Sequence, residues 1–349
     1  MDRIPVGILG ATGAVGQRFA QLLADHPWFE VTDVAASDRS AGKPYREACT
    51  WRLPGAPASR IGELVVAPID GPFQAKLLFS GLDSSVAGEA ETALAGRGHA
   101  VVSNSRNHRM DPDVPLLVPE INPDHLDALA VQRKRTGGGY VVTNPNCSVV
   151  GLAMALAPLH RAFGLESVAV ATLQAISGAG YPGVASLDIA DNVIPYIGGG
   201  EEEKIESEPQ KILGRFRDGA FRPADFPISA SVHRVAVVDG HTMAIFVRLA
   251  KKAGAKDAAR VLAEWRSEPQ ERELPSAPRR PLHVLDAPDR PQPRLDRDRE
   301  GGMAVSVGRV RADRVFDLKL EALVHNTIRG AAGAAILNAE LLRVRGLLP

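Results

Sequence analysis

Cysteine is scarce in this chain of 349 residues, which holds only Cys49 and Cys147. A disulfide framework is thereby excluded, and the usage is that of a reducing compartment. Net charge is also missing: lysine plus arginine and aspartate plus glutamate both total 41, so no bulk charge draws the chain to nucleic acid or an anionic membrane. Residues 140–159 carry no charge, but Asn144-Pro145-Asn146 breaks them with a turn and removes the case for a membrane helix. The amino terminus has too short an apolar run before its glycines for a signal peptide, and a cytoplasmic protein is expected. The nine histidines show no His-Glu-x-x-His and no close Cys/His ligand spacing, so no metal site is expected. No Walker-type lysine follows the glycines, which argues against a nucleoside triphosphatase.

What is present is an ordinary globular composition, 45% apolar and 23% charged, in a length that suggests two domains at about 150 residues each. The first half alternates short apolar strands (3–9, 30–36, 76–80, 100–103, 140–143) with helical stretches (12–25, 84–95, 123–133). Asn122 is the expected cap of the last helix, with Pro123 at its first position. This rhythm predicts an α/β fold with a doubly wound, Rossmann-type parallel sheet. After residue 146 a helix (148–163), a strand (167–176), a glycine-rich turn (177–183) and helices (184–193, 201–213) precede strands at 229–235, 241–249, 303–310 and 315–323. These strands have antiparallel character and predict a second, α+β domain. Residues 268–299, dense in proline, arginine and aspartate, read as a surface loop or subunit contact. The last helix, 327–344, carries Gly330, Ala331, Ala332 and Gly333, which permit close approach of a backbone or ligand.

Gly10-Ala11-Thr12-Gly13-Ala14-Val15-Gly16 lies between the first strand and first helix, where backbone amides can cradle a pyrophosphate. Its glycines fall at the first, fourth and seventh places, a variant of the usual dinucleotide spacing. At the end of the second strand, Ser37-Asp38-Arg39-Ser40 with Lys43 offers two cations and two hydroxyls for a 2′-phosphate. That favours NADP, although Asp38 leaves NAD open. Cys147 precedes a long helix, whose positive end favours a thiolate. Cys49 has no such context and is read as structural. His241, at a strand start, is a candidate proton acceptor, and Arg234 a candidate partner for an anionic group.

Together these residues resemble the aspartate-semialdehyde dehydrogenase family over essentially the whole chain. The motifs are Thr143-Asn144-Pro145-Asn146-Cys147-Ser148, Gln174-Ala175-Ile176-Ser177-Gly178-Ala179-Gly180-Tyr181-Pro182-Gly183 and Arg234-Val235-Ala236-Val237-Val238-Asp239-Gly240-His241-Thr242, in family order. His325-Asn326-Thr327-Ile328-Arg329-Gly330-Ala331-Ala332-Gly333 resembles the archaeal and fungal branch. The resemblance implies Cys147 as nucleophile, His241 as acid/base, Gln174 as a positioning residue and Arg234 as clamp on the substrate carboxylate. It implies Arg109 and Lys204 as phosphate ligands and Glu202 for the substrate ammonium, with the register of Glu201 to Glu203 open by one residue. Ser80, Gly81, Ser177, Gly178 and Asn326 are implied around the cofactor.

The implied domains are an NADP-binding unit of residues 1–146 and 327–349, and a catalytic, substrate-binding and dimerisation unit of residues 147–326. The partners implied are a small-molecule substrate, phosphate and further copies of the chain in a homodimer or homotetramer. The implied reaction is reduction of 4-phospho-L-aspartate to the semialdehyde through a Cys147 thioester, on the route to lysine, methionine and threonine. Two alternatives stand beside it: a malonyl-CoA or succinyl-CoA reductase on the same scaffold, and a non-catalytic nucleotide-sensing regulator.

Overall fold

The structure is a computed structural model that describes residues 3–349; Met1 and Asp2 lie outside it. Strands Ile4–Leu9 (β1), Phe29–Ala35 (β2), Val66–Ala67 (β3), Leu77–Ser80 (β4), Ala100–Ser103 (β5) and Tyr140–Thr143 (β6) form one parallel sheet in the order β3-β2-β1-β4-β5-β6. The helices of two turns or more are Ala14–Leu23 (α1), Ser84–Gly96 (α2), Leu129–Thr136 (α3), Cys147–Phe163 (α4), Glu201–Leu213 (α5), Ala255–Ala263 (α6) and Gly333–Val344 (α7). Successive side chains of a strand point to opposite faces, and both faces here are buried. Ile8, Phe79, Val102 and Val142 enter a core shared with Phe19 of α1 and with Ile336 and Leu337 of α7. Their neighbours Leu9, Leu78, Val101 and Val141 enter the opposite core, with Ala87 and Leu94 of α2. Strand order reverses between β1 and β4, and in such sheets ligands bind in the crevice at that switch.

The second sheet is built from Leu165–Gln174 (β7), Ile228–Arg234 (β10), His241–Leu249 (β11), Leu282–Leu285 (β12), Val305–Ala312 (β13) and Leu318–Val324 (β14). Arg215–Arg217 (β8) and Ala220–Arg222 (β9) make a separate hairpin. Its order is β10-β7-β11-β14-β13-β12, and α4 packs on one face through Val149, Leu152, Ala153 and Leu156. On the other face Leu173 is 43% exposed, and Ala171, Ala244 and Phe246 are only partly covered.

Several expectations are corrected. The second sheet is mixed, because β7 pairs with β10 and β12 with β13 in parallel. Asn122 does not cap a helix: its side chain accepts from Val118 N–H and donates to the Leu116 carbonyl, both at 2.8 Å, so residues 123–128 form a 3-10 turn before α3. The helix expected over 184–193 shrinks to Ser186–Ile189. Residues 268–299 are not simply a surface loop, since they contain β12 and bury Asp296, whose carboxylate gathers Arg290, Arg299 and the Gln292 N–H. The last helix opens with a π-turn, Ile328–Ala332. In that turn Arg329, 1% exposed, pairs with Glu120 at 2.7 Å. Breaking a pair so deep costs about 3–5 kcal/mol, which anchors the returning chain against the first half.

Candidate active site

The crevice at β1 and β4 is shaped by missing side chains. Gly10 has φ +71°, and a Cβ there would lie 2.7 Å from the Gly81 carbonyl oxygen. A Cβ on Gly16 would lie 2.2 Å from the Gly10 carbonyl oxygen. Thr12, Gly13, Ala14 and Val15 carry the chain from β1 into α1, which begins at Ala14 without a side-chain cap; an uncapped first turn leaves amides for an anion. Ser80 and Gly81 close the other side, with the Ser80 carbonyl held by Asn104 Nδ2 at 3.1 Å. Beyond β2, Ser37 and Ser40 bracket a turn, and Arg39 and Lys43 are exposed with no acidic partner among the described residues.

Cys147 is the first residue of α4. Asn146 caps that helix, its Oδ1 accepting from Ser148 N–H at 2.9 Å and Val149 N–H at 3.4 Å, a contact worth about 1 kcal/mol. Across the site, β11 begins with His241, which brings Nε2 within 3.2 Å of Cys147 Sγ. The Ala175 backbone N–H donates to His241 Nδ1 at 2.9 Å. A neutral imidazole has one donor nitrogen and one acceptor nitrogen, so this contact fixes the proton on Nε2, facing sulfur. Burial, with Arg234 and His325 acting in the same direction, pulls His241 down to about 3, so the ring is neutral at physiological pH.

Burial also pushes the Cys147 thiol up to about 12; Glu201 adds to the rise, while Arg109 and Arg234 oppose it. Cys147 is therefore held as a thiol. Its helix position favours a thiolate, as the sequence suggests, but desolvation and the nearby carboxylate outweigh the dipole.

Glu201 gathers the groups around the sulfur. Its Oε1 accepts from Asn146 Nδ2 at 2.9 Å and Gln174 Nε2 at 3.1 Å, and its Oε2 meets Lys204 Nζ at 3.2 Å. Glu202, the residue expected to face the substrate, points elsewhere and accepts from Val232 N–H at 3.2 Å. The reason is helical phase: Glu201 and Lys204 are three residues apart on one face of α5, and Glu202 is rotated about 100° from it. Arg234, 6% exposed, donates to the Ala175 carbonyl at 2.7 Å. Arg109, 7% exposed, donates to the Asn104 carbonyl and Glu208 Oε1, both at 2.9 Å, and its buried Nε–H has no acceptor among the described residues.

Gly178 lies over the pair, where a Cβ would meet Arg234 Nη1 at 2.9 Å and His241 Cε1 at 3.0 Å. Asn326 Nδ2 donates to Ser177 Oγ at 2.8 Å and its Oδ1 accepts from Gly240 N–H at 2.8 Å, tying the glycine-rich turn to the start of β11. The small residues of the last helix allow the close backbone approach expected of them, while Asn144 and Glu208 take roles that the sequence did not assign. Asn144 holds the π-turn through the Ala331 carbonyl at 2.9 Å, and Gly330 lies where a Cβ would be 2.9 Å from Cys147 Cβ. Glu208 contacts Arg109, and its signal was available only as a seven-residue spacing from Glu201. Among the described residues no group of three or more acidic, histidine or cysteine side chains could hold a metal ion, and no helix is long and apolar enough to cross a membrane.

A thiol set beside a neutral imidazole, next to a doubly wound sheet with a glycine cradle, defines the class of nucleotide-linked dehydrogenases that act on aldehydes through a thioester. Two family models match the chain: semialdehyde dehydrogenase, NAD binding domain, over residues 5–129, and semialdehyde dehydrogenase, dimerisation domain, over residues 156–329. The aspartate-semialdehyde dehydrogenase of Methanothermobacter thermautotrophicus is 49% identical over 344 residues, covering 97% of this chain and 99% of that protein. That of Schizosaccharomyces pombe is 49% identical over 353 residues, covering 98% and 99%. The crystal structure of aspartate semialdehyde dehydrogenase with NADP from Candida albicans matches with a TM-score of 0.91 at 43% identity, covering 99% of this chain and 100% of that one. Aspartate semialdehyde dehydrogenase II of Vibrio cholerae complexed with ASA matches with a TM-score of 0.77 at 28% identity, covering 99% of both chains. The chain belongs to the aspartate-semialdehyde dehydrogenase family.

Proposed function

We propose that the chain catalyses NADP-dependent reductive dephosphorylation of 4-phospho-L-aspartate to L-aspartate 4-semialdehyde, in the biosynthesis of lysine, methionine and threonine. The observation that carries this reading is the set of charges around the Cys147–His241 contact. The substrate has a carboxylate, a phosphate and an ammonium. Arg234 is assigned to the carboxylate, Arg109 and Lys204 to the phosphate, and Glu201, in place of Glu202, to the ammonium, with Gln174 holding Glu201. Malonyl or succinyl thioesters offer no ammonium, and Glu201 would face a second anion. A nucleotide-sensing regulator has no use for a nucleophile paired with a proton donor.

Sulfur of Cys147 attacks the acyl phosphate carbon, the bond from that carbon to phosphate oxygen breaks, and the thiol proton leaves with phosphate as hydrogen phosphate. Bound NADPH supplies hydride to the thioester carbon. His241 holds its Nε2 proton toward sulfur and toward the oxygen that becomes negative on that carbon, a fixed neutral donor where charge develops. Breaking the carbon–sulfur bond releases the aldehyde, and the Cys147 thiolate recovers a proton from water. The glycine turn of residues 10–16 fits the pyrophosphate, because the close backbone packing that Gly10 and Gly16 permit sets the uncapped first turn of α1 at the end of β1. Arg39 and Lys43, with Ser37 and Ser40, fit the 2′-phosphate. Ser80, Gly81, Ser177, Gly178 and Asn326 would hold the reactive end of the cofactor.

We assign residues 1–146 and 327–349 to cofactor binding and residues 147–326 to catalysis and dimerisation. The core that α7 shares with β1 and β4 supports this division. The half-covered face of the second sheet suits a homodimer or homotetramer, and the enzyme is assigned to the cytoplasm.

Neutralising Arg39 and Lys43 together is expected to raise the dissociation constant for NADP about 10²-fold, at about 1.4 kcal/mol per charged contact, and that for NAD less than about twofold. Calorimetric titration of both cofactors checks this, and equal losses would remove the two cations from the 2′-phosphate site. Gly330→Ala would push the Cys147 backbone and is expected to lower kcat by about 10- to 10²-fold with little change in NADP affinity. Normal kcat in that variant would show that the turn yields without moving the nucleophile. The reaction itself is tested by NADP reduction with L-aspartate 4-semialdehyde. The rate should require phosphate, and coenzyme A should not replace it. Malonyl-CoA reduction without phosphate-dependent oxidation of the semialdehyde would overturn the assignment.

A further inference from the structure

Helix α5 carries Glu201, Lys204, Glu208 and Lys211 at intervals of three, four and three residues, one stripe of a 3.6-residue helix. The first two belong to the site above. The other two are buried, and no step of the chemistry uses them.

Glu208, 2% exposed, accepts from Arg109 Nη1 at 2.9 Å and from the Asn146 backbone N–H at 2.7 Å. One carboxylate thus grips the guanidinium and the residue preceding the nucleophile. Lys211, 4% exposed, donates to the carbonyls of Arg109, Asp111 and Val114 at 2.7, 2.8 and 2.9 Å. An ammonium has three donors, and here all three hold a single six-residue segment. That segment borders a cavity of about 400 Å3, lined in part by His108, Asp111, Asp113 and Arg135, into which it could relax if released. The tether keeps the segment against α5, and with it the open Arg109 Nε–H.

We propose that Glu208 and Lys211 are positioning residues that set Arg109 for the phosphate of the substrate, and that Glu208 couples this anion site to the first turn of the helix carrying Cys147. The proposal rests on the reading of Arg109 as a phosphate ligand. Sequence spacing carries a trace of it, since the same helix face that supplies Glu201 and Lys204 continues to Glu208 and Lys211.

The test is steady-state oxidation of L-aspartate 4-semialdehyde with varied phosphate, using E208Q, K211M, K211R and R109A, each checked for a cooperative thermal transition. E208Q keeps its size but leaves one acceptor facing two donors; its KM for phosphate is expected to rise about tenfold, with the KM for the semialdehyde within about twofold of wild type. K211M is expected to behave alike. K211R keeps a cation and is expected within about threefold of wild type for phosphate; if K211M does not fold, E208Q and K211R carry the comparison. R109A separates the two layers of the reading. An unchanged phosphate KM in R109A would overturn the phosphate role of Arg109. A raised phosphate KM in R109A together with wild-type values in E208Q would overturn the positioning role alone. Equal rises in both substrates' KM would make Glu208 merely structural and would also overturn it.

Discussion

Cys147→Ala is expected to abolish turnover, with kcat lower by at least about 10⁵-fold, while the protein still folds and binds NADP. The size of the effect follows from the route: without the sulfur that lies 3.2 Å from His241 Nε2 there is no covalent acyl intermediate. Folding should survive because the side chain lies at the first position of α4, whose cap is made by Asn146 rather than by the cysteine. Cys49 provides the contrast. It is buried at 8% exposure in the core of the first sheet, and Cys49→Ala should leave kcat near wild type. The raised Cys147 thiol adds a pH signature. Its charged form is disfavoured by burial, so alkylation of the free enzyme should keep climbing with pH well past about 8.5, the midpoint of an ordinary thiol. A plateau below that pH would mean that the helix dipole, not burial and Glu201, governs the sulfur.

His241→Asn is expected to lower kcat by about 10²- to 10⁴-fold and to leave the NADP dissociation constant within about threefold. The imidazole contributes through one proton at one atom. Because Ala175 N–H occupies Nδ1, the ring presents Nε2–H to sulfur and to the developing oxyanion without needing to become charged. Nitrogen-15 chemical shifts of the wild-type ring check this directly: Nε2 should be protonated and Nδ1 bare, with no imidazolium down to about pH 4, since burial and Arg234 hold His241 at about 3. An imidazolium at neutral pH would replace this picture with a thiolate–imidazolium pair.

Much of the site was legible because its signals are local. The turn Asn144-Pro145-Asn146 before a long apolar run marks a helix start, and that sets Cys147 apart from Cys49. The glycines at 10, 13 and 16 read correctly as a turn from strand to helix, since each must clear a backbone oxygen. Five strands of the first sheet were recognisable because burial on both faces makes them continuous apolar runs, whereas the edge strand β3 has only two residues and leaves no such run. What failed depends on distant partners. Three consecutive glutamates are chemically equal in sequence, and only the phase of α5 against β10 decides that Glu201 enters the site while Glu202 meets Val232. Parallel pairing of β7 with β10 is likewise invisible, because strand composition does not record direction. Asn122 looked like a cap because its side chain can serve the backbone in several ways, and here it closes the 116–118 turn instead. The π-turn before α7 could not be read either, since it arises where Gly330 passes Cys147.

Mixing the enzyme with L-aspartate 4-semialdehyde and NADP in the absence of phosphate, followed by acid quench and mass spectrometry of the intact chain and its peptides, interrogates the covalent step itself. One aspartyl acyl group should accumulate on the peptide containing Cys147, and phosphate, but not coenzyme A, should discharge it before the quench. An unmodified Cys147 peptide in enzyme that turns over, or an acyl group on any other residue, would contradict the thioester route.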